Sequence, residues 1–164
     1  MKIGMFLSLV ILISPATAQT DSSQDGTRSA VCTFEDGKQM SVRYNGNASG
    51  AKLKNGQLWP NADPPMLLFT QASLRIENSS IPIGAYGVYV IPGTKLWTLV
   101  VNKNVNGDHE YDQKDDLVRA SMATGQLSDG KTRPRVYLAH DAPQRCEFRF
   151  YYGKTGASLE INEQ

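Results

Sequence analysis

The chain has 164 residues, 40% of them hydrophobic and 20% charged, with 17 Lys and Arg set against 16 Asp and Glu for a formal net charge of +1. This length suits a leader followed by one domain. With no basic stripe, sequence-independent nucleic-acid binding is excluded, because it needs clustered Lys and Arg to displace counterions. No amphipathic basic helix or lipidation signal points to a membrane-surface role either.

In chain order, Met1-Lys2-Ile3 is a short charged start, and the chain is then almost wholly apolar to Ile13. Pro15 breaks any helix, and Ala16-Thr17-Ala18 supplies an A-x-A cleavage site before Gln19. Residues 1–18 therefore read as a secretory signal. The apolar run is too short for a membrane span, which needs roughly 20 residues. The expected location is the periplasm or the extracellular medium. Residues 19–29 are expected to form a polar, flexible leader, and residues 30–164 one folded domain.

From residue 30 onward nearly every ordered-looking segment is short, β-branched or aromatic, and bounded by Gly, Pro, Asn or Asp. Strands are expected over 30–34, 39–44, 65–70, 73–77, 85–91, 96–102, 116–122, 135–140, 145–152 and 157–162. Met40, Val42 and Tyr44 alternate with Ser41 and Arg43, as do Leu159 and Ile161 with Ser158 and Glu160. That period of two marks half-buried strands of antiparallel sheets. Residues 85–91 and 96–101 are apolar on both faces, as central strands are. Between them Pro92-Gly93-Thr94-Lys95 predicts a hairpin with a type II turn, Pro fixing φ and Gly taking positive φ. About ten short strands with no sustained helical period predict an all-β fold, a single antiparallel β-sandwich or jelly-roll-like barrel.

Cys32 and Cys146 are the two cysteines. Cys146 alternates in phase with Phe148, Phe150 and Tyr152, and Cys32 with Phe34, so both should point inward. In an oxidising compartment this predicts a disulfide. The loop it closes gives a possible gain of roughly 4–5 kcal/mol by chain-entropy reasoning.

The richest candidate for chemistry is the segment 102–113. It resembles a calcium loop in its oxygen-bearing residues and in Gly107 at the sixth position. Its first position is Asn102 rather than Asp, however, and its twelfth is Gln113, which cannot supply a bidentate carboxylate. A polar hairpin loop predicts the same letters. Asp108, His109, Asp112 and Asp116 are kept as candidate ligand-binding residues, with calcium the only cofactor the residues leave open. His140-Asp141 could form part of an acid–base pair, although a polar turn before Pro143 is the ordinary expectation. Neither His109 nor His140 has a second His or a Cys at metal-ligand spacing, so a structural zinc site is not expected. A nucleophile-bearing G-x-S-x-G pattern is absent. Gly153-Lys154-Thr155 ends like a phosphate loop but lacks its earlier Gly, the position being Phe148. Trp97 reads as core. Trp59, in a loop near Pro64-Pro65, either packs beneath that loop or stacks on a sugar or an apolar partner, and is kept as a ligand candidate.

Four separated motifs occur in order: Ile81-Pro82-Ile83-Gly84-Ala85-Tyr86, Tyr89-Val90-Ile91-Pro92-Gly93, Trp97-Thr98-Leu99-Val100-Val101-Asn102-Lys103, and Tyr111-Asp112 with Asp116-Leu117-Val118-Arg119. Together they resemble the bacterial exported family called domain of unknown function 2911 over roughly residues 41–122. Tyr151-Tyr152-Gly153-Lys154-Thr155-Gly156 is similar to a shorter-loop branch of the group. Where many members carry W-R-T-G-A-N, this chain has Leu58-Trp59-Pro60-Asn61-Ala62, so only Trp59 carries over. The resemblance implies an exported β-rich domain and supplies no activity, cofactor or catalytic residues. The residues favour a non-catalytic binding module for a glycan, peptide or envelope protein. The alternative is a hydrolase or calcium-binding protein using the acidic residues around 108–116.

Overall fold

A computed structural model describes residues 26–48, 53–59, 65–105 and 111–164. The expected signal, the leader as far as residue 25, and the loop positions Asp108 and His109 lie outside the described residues. Alternation dictates the early strands. β1 (Thr27–Thr33), β2 (Gln39–Asn45) and β3 (Met66–Thr70) pair antiparallel in sequence, so that Met40, Val42, Tyr44, Met66 and Leu68 all face one core. β4 (Leu74–Ile76) and β5 (Ser79–Ile81) form a small hairpin, and β6 (Gly84–Ile91) and β7 (Trp97–Asn102) a larger central one. β8 (Asp116–Ala142) and β9 (Arg145–Glu163) are long and pair with each other.

The sheet order is β1-β2-β3-β6-β7-β8-β9-β4-β5, every described pairing antiparallel. The start of β8 completes one layer through β7, and its remainder joins β9 and β4 in a second layer. Both layers contribute to a single buried cluster, from Met40, Leu68 and Leu99 on one side to Phe148, Phe150 and Ile161 on the other. The all-β expectation holds, as nine strands rather than about ten. The sheet stays open between β1 and β5, so the jelly-roll-like barrel does not form.

Three local expectations are corrected. Segments 116–122 and 135–140 are parts of one strand, as are 145–152 and 157–162, because the Gly- and Asp-rich stretches between them bulge while still pairing. From Gln126 to Arg135 β8 takes nine steps where β9 takes four from Thr155 to Tyr151. Bulges of this kind bend a ribbon without ending it. β5 escaped notice because Ser79-Ser80 gives three residues no apolar alternation. β1 begins at Thr27, so Thr27, Arg28 and Ser29 pair with Asn45, Tyr44 and Arg43 instead of belonging to a leader.

The 92–96 connection does join β6 to β7, but Gly93 is not among the positive-φ glycines, so the type II turn is replaced by a wider loop. Gly is needed there for another reason: a Cβ on Gly93 would collide with the Leu96 carbonyl oxygen. The disulfide forms between Cys32 of β1 and Cys146 of β9, across the two layers, with Cα atoms 6.4 Å apart and a sequence separation of 114. Both cysteines are buried.

Candidate functional site

Two surface features stand out: a polar network over the central hairpin, and a groove on the outer face of the β8–β9 ribbon. The network starts from register. On the outer face of the first layer Tyr89, Val100 and Arg119 lie side by side, and Gly87, Asn102 and Asp116 form the next row. The chain leaves β7 through Lys103, Asn104 and Tyr111 both lie against this face, and a 3₁₀ turn at Gln113–Asp115 leads into β8. Gly87 permits this approach, since a Cβ there would collide with the Asn104 carbonyl oxygen. Tyr111 then packs edge-on against Tyr89, with ring centroids 5.2 Å apart.

Asn102, only 1% exposed, ties the two ends of this connection together. Its Nδ2 donates to the Asp112 carbonyl at 2.9 Å and to Asp116 Oδ1 at 2.8 Å, and its Oδ1 accepts from Asn104 N at 2.8 Å. The other carboxylate oxygen, Asp116 Oδ2, accepts from Tyr111 Oη at 2.6 Å and from Arg119 Nη1 at 2.7 Å. Arg119 Nη1 also donates to Tyr111 Oη at 2.8 Å. Burial, reinforced by the hydrogen bond to the Asp116 carboxylate, pushes the Tyr111 phenol up to about 12. Asp112 caps the 3₁₀ turn by accepting from Lys114 N at 2.9 Å.

The chemistry of this cluster is that of a lock. Both Asp116 oxygens already accept hydrogen bonds, one of them from a guanidinium. A general base needs a lone pair within reach of the proton it abstracts, and a calcium ion at Asp116 would sit against the positive charge of Arg119. The motif residues Asn102, Tyr111, Asp112, Asp116 and Arg119 thus converge to fasten one loop over Gly87 and Tyr89. Asp116 and Arg119 are three apart on a strand and would ordinarily face opposite ways. They meet because the β7–β8 register slips between Val101 and Asn102, which leaves Leu117 as the extra residue.

The remaining candidates do not join them. His140 is exposed at the far end of β8, opposite Cys146 and 3.5 Å from the Pro143 carbonyl through Nε2. His140 and Asp116 stand at opposite ends of the same long strand, Asp116–Ala142, and the disulfide ties the His140 end to β1. Asp141 pairs with Arg145 at 3.0 Å, a turn contact. Trp59 is 5% exposed; it bridges to Val90 through the backbone and packs on Phe150 and Tyr152 at 4.9 and 5.4 Å between centroids. It is core and offers no stacking face, which corrects its place among the ligand candidates. Among the described residues no three His, Cys, Asp or Glu side chains are grouped to hold a metal ion.

The second feature was not singled out from the sequence. Along β9, inward Cys146, Phe148, Phe150 and Tyr152 leave Glu147, Arg149 and Tyr151 on the outer face. Gly153 takes φ +60°, and together with the β8 bulges the ribbon bends there. In the bend lies a groove of about 330 Å³ lined by Thr124, Gln126, Leu127, Glu147, Arg149, Tyr151 and Ser158, among others. Tyr151 is held in place because its ring lies over Gly156, where any Cβ would come within 2.8 Å of it. Tyr137, 52% exposed, meets Tyr151 edge-on at 5.6 Å. Arg149 Nε donates to Glu147 Oε2 at 2.7 Å. The only signal available in the sequence was the alternation that sends Tyr151 and its neighbours outward.

Compared with known proteins, the chain belongs to the family described as "Protein of unknown function (DUF2911)", whose model matches residues 32–161. No curated protein and no solved structure matches it. Among the described residues no helix is long and apolar enough to cross a membrane.

Proposed function

We propose that this protein is an exported, non-catalytic binding module that holds a glycan in the groove on the outer face of the β8–β9 ribbon. The observation that carries the reading is the Tyr137–Tyr151 pair. One ring is fixed over Gly156, the other is half exposed, and both stand beside a concave surface rich in hydrogen-bonding side chains. Tyrosine faces offer rigid apolar area to the C–H faces of a sugar, while Gln126, Thr124, Ser158 and the Arg149–Glu147 pair can hydrogen-bond its hydroxyls. Export is supported by the signal-like start of the chain and by the Cys32–Cys146 bridge, a bond that persists in oxidising compartments. The Asp116 carboxylate, already held by Asn102, Tyr111 and Arg119, and the place of His140 at the opposite end of β8 weigh against the hydrolase reading.

Two experiments test the proposal. In affinity electrophoresis through gels containing soluble polysaccharides, the wild-type protein should be retarded by at least one of them. Tyr151→Ala should weaken that interaction about tenfold, equivalent to about 1.4 kcal/mol. Retardation by no polysaccharide, or equal retardation of Tyr151→Ala, would overturn the groove assignment. N-terminal sequencing of protein recovered from outside the cytoplasm should begin at Gln19; an intact Met1 would contradict cleavage.

A further inference from the structure

The sheet opens along a seam where the free edge of β1 faces β8. A cavity of about 260 Å³ sits there, lined by Arg28, Ser29 and Tyr44 on one side and by Arg135 and Tyr137 on the other, among others. Its lining holds two guanidinium groups and no carboxylate. Arg135 Nη1 is buried with no hydrogen-bond partner among the described residues. Buried donors are almost always paired, and a lone charged one is costly. Arg28 makes no ion pair among the described residues. Its stem lies against Gly46, where any Cβ would collide with it, so the side chain is packed in place rather than free in solvent. A third guanidinium flanks the same corner: Arg133 Nη1 donates to Asn47 Oδ1 at 3.2 Å, one residue beyond Gly46.

We propose that the β1–β8 seam is an oxyanion-binding site, in which Arg28 and Arg135 take a phosphate or carboxylate group carried by a small ligand. The planar fork of a guanidinium matches either group, and such charge-assisted bonds are the strong ones. The Ser29, Tyr44 and Tyr137 hydroxyls are further donors in the lining. The anion would supply the acceptor that Arg135 Nη1 lacks. The site shares Tyr137 with the glycan surface described above, but Arg28 and Arg135 lie outside that groove, so it stands whether or not the groove takes a sugar.

The test is calorimetric titration of the full, disulfide-bonded chain with inorganic phosphate and, separately, with succinate, each against potassium chloride at matched ionic strength. At least one anion should bind beyond the chloride control, and the one that does identifies the group. Its affinity should fall at least tenfold in Arg28→Gln and in Arg135→Gln, with Arg135→Lys recovering only part of it. Should either variant fail to fold, amide chemical shifts of the wild-type protein decide the matter. Shifts on addition of the anion should cluster at residues 28–31 and 135–138. Binding of neither anion beyond chloride, undiminished binding in folded variants, or shifts elsewhere would overturn the site.

Discussion

Replacing Asp116 by Ala tests the lock over the central hairpin. The substitution deletes acceptors for Asn102 Nδ2, Tyr111 Oη and Arg119 Nη1 together. These losses are unequal. Arg119 has a side chain 37% exposed and can turn to water at little cost. Tyr111 Oη still accepts from Arg119 but loses its own acceptor in a partly buried place. Asn102 keeps the Asp112 carbonyl only if the 3₁₀ turn stays where it is. A buried donor left unpaired costs about 1–3 kcal/mol, and hydrogen bonds to charged groups contribute about 1.5–3. Two such losses, discounted for relaxation of the loop, give about 2–4 kcal/mol. At about 3 °C per kcal/mol for a domain of this size, Tm should fall by roughly 6–12 °C. Scanning calorimetry at neutral pH under non-reducing conditions measures it. Near-ultraviolet circular dichroism should change as well, because Tyr111 leaves Tyr89. A fall of less than about 2 °C would mark the network as a solvated surface cluster and not a lock.

Tyr111 gives a pH prediction. Burial raises its phenol from the ordinary tyrosine value of about 10 to about 12 in the folded state, so its contribution to stability is fully present below pH 10 and lost as pH rises through 12. A phenolate absorbance titration should show late-ionising tyrosines, since burial also raises Tyr86, and the latest of them should be missing in Tyr111→Phe; unchanged curves would contradict the burial argument. Serine at Cys32 and Cys146 should lower stability by up to roughly 4–5 kcal/mol through the unfolded chain, measured by denaturant unfolding; a loss under about 1 kcal/mol would leave the bridge energetically idle. Gly87→Ala should cost about 1–3 kcal/mol through its clash with the Asn104 carbonyl, whereas Gly37→Ala, with open space but φ +89°, should cost about 1 kcal/mol through strain alone. Equal losses at the two positions would disprove close loop packing over Gly87.

The fold was legible wherever one face of a strand is buried and the other wet. Met40, Val42 and Tyr44 alternate with polar neighbours, and β2 lies where that alternation puts it. The paired cysteines were readable for the same reason, each falling in phase with inward aromatic residues. Legibility failed where Gly, Pro and Asp serve a bend instead of an end. The run from Gly125 to Pro134 looks like a turn, yet β9 continues to pair beside it, because backbone hydrogen bonds survive bulges that side-chain patterns do not reveal. The site residues divide similarly. Asp112 and Asp116 were singled out as polar groups on a loop, and they do meet. Among their partners, Tyr111 and Arg119 stand in the sequence only as motif letters and Asn102 only as an imperfect calcium-loop position, since a register slip at Val101 decides which side chains share a face. Trp59 misled because the Pro-rich loop beside it suggests exposure, whereas its backbone bridge to Val90 places the ring under Phe150 and Tyr152. Tyr151 carries only the alternation that turns it outward, and its meeting with Tyr137 depends on the fold of one ribbon upon itself.

Glycan binding on the outer face of the β8–β9 ribbon, as proposed above, is open to direct test. The most direct measurement is an amide chemical-shift titration of the disulfide-bonded protein with a panel of neutral and acidic oligosaccharides. At least one sugar should produce saturable shifts confined to Thr124–Leu127, Tyr137, Glu147–Tyr151 and Gly156–Ser158, and these should vanish in Tyr151→Ala. Saturable shifts centred on Lys103, Tyr111 and Asp116 instead, or no shift with any sugar, would contradict the proposal.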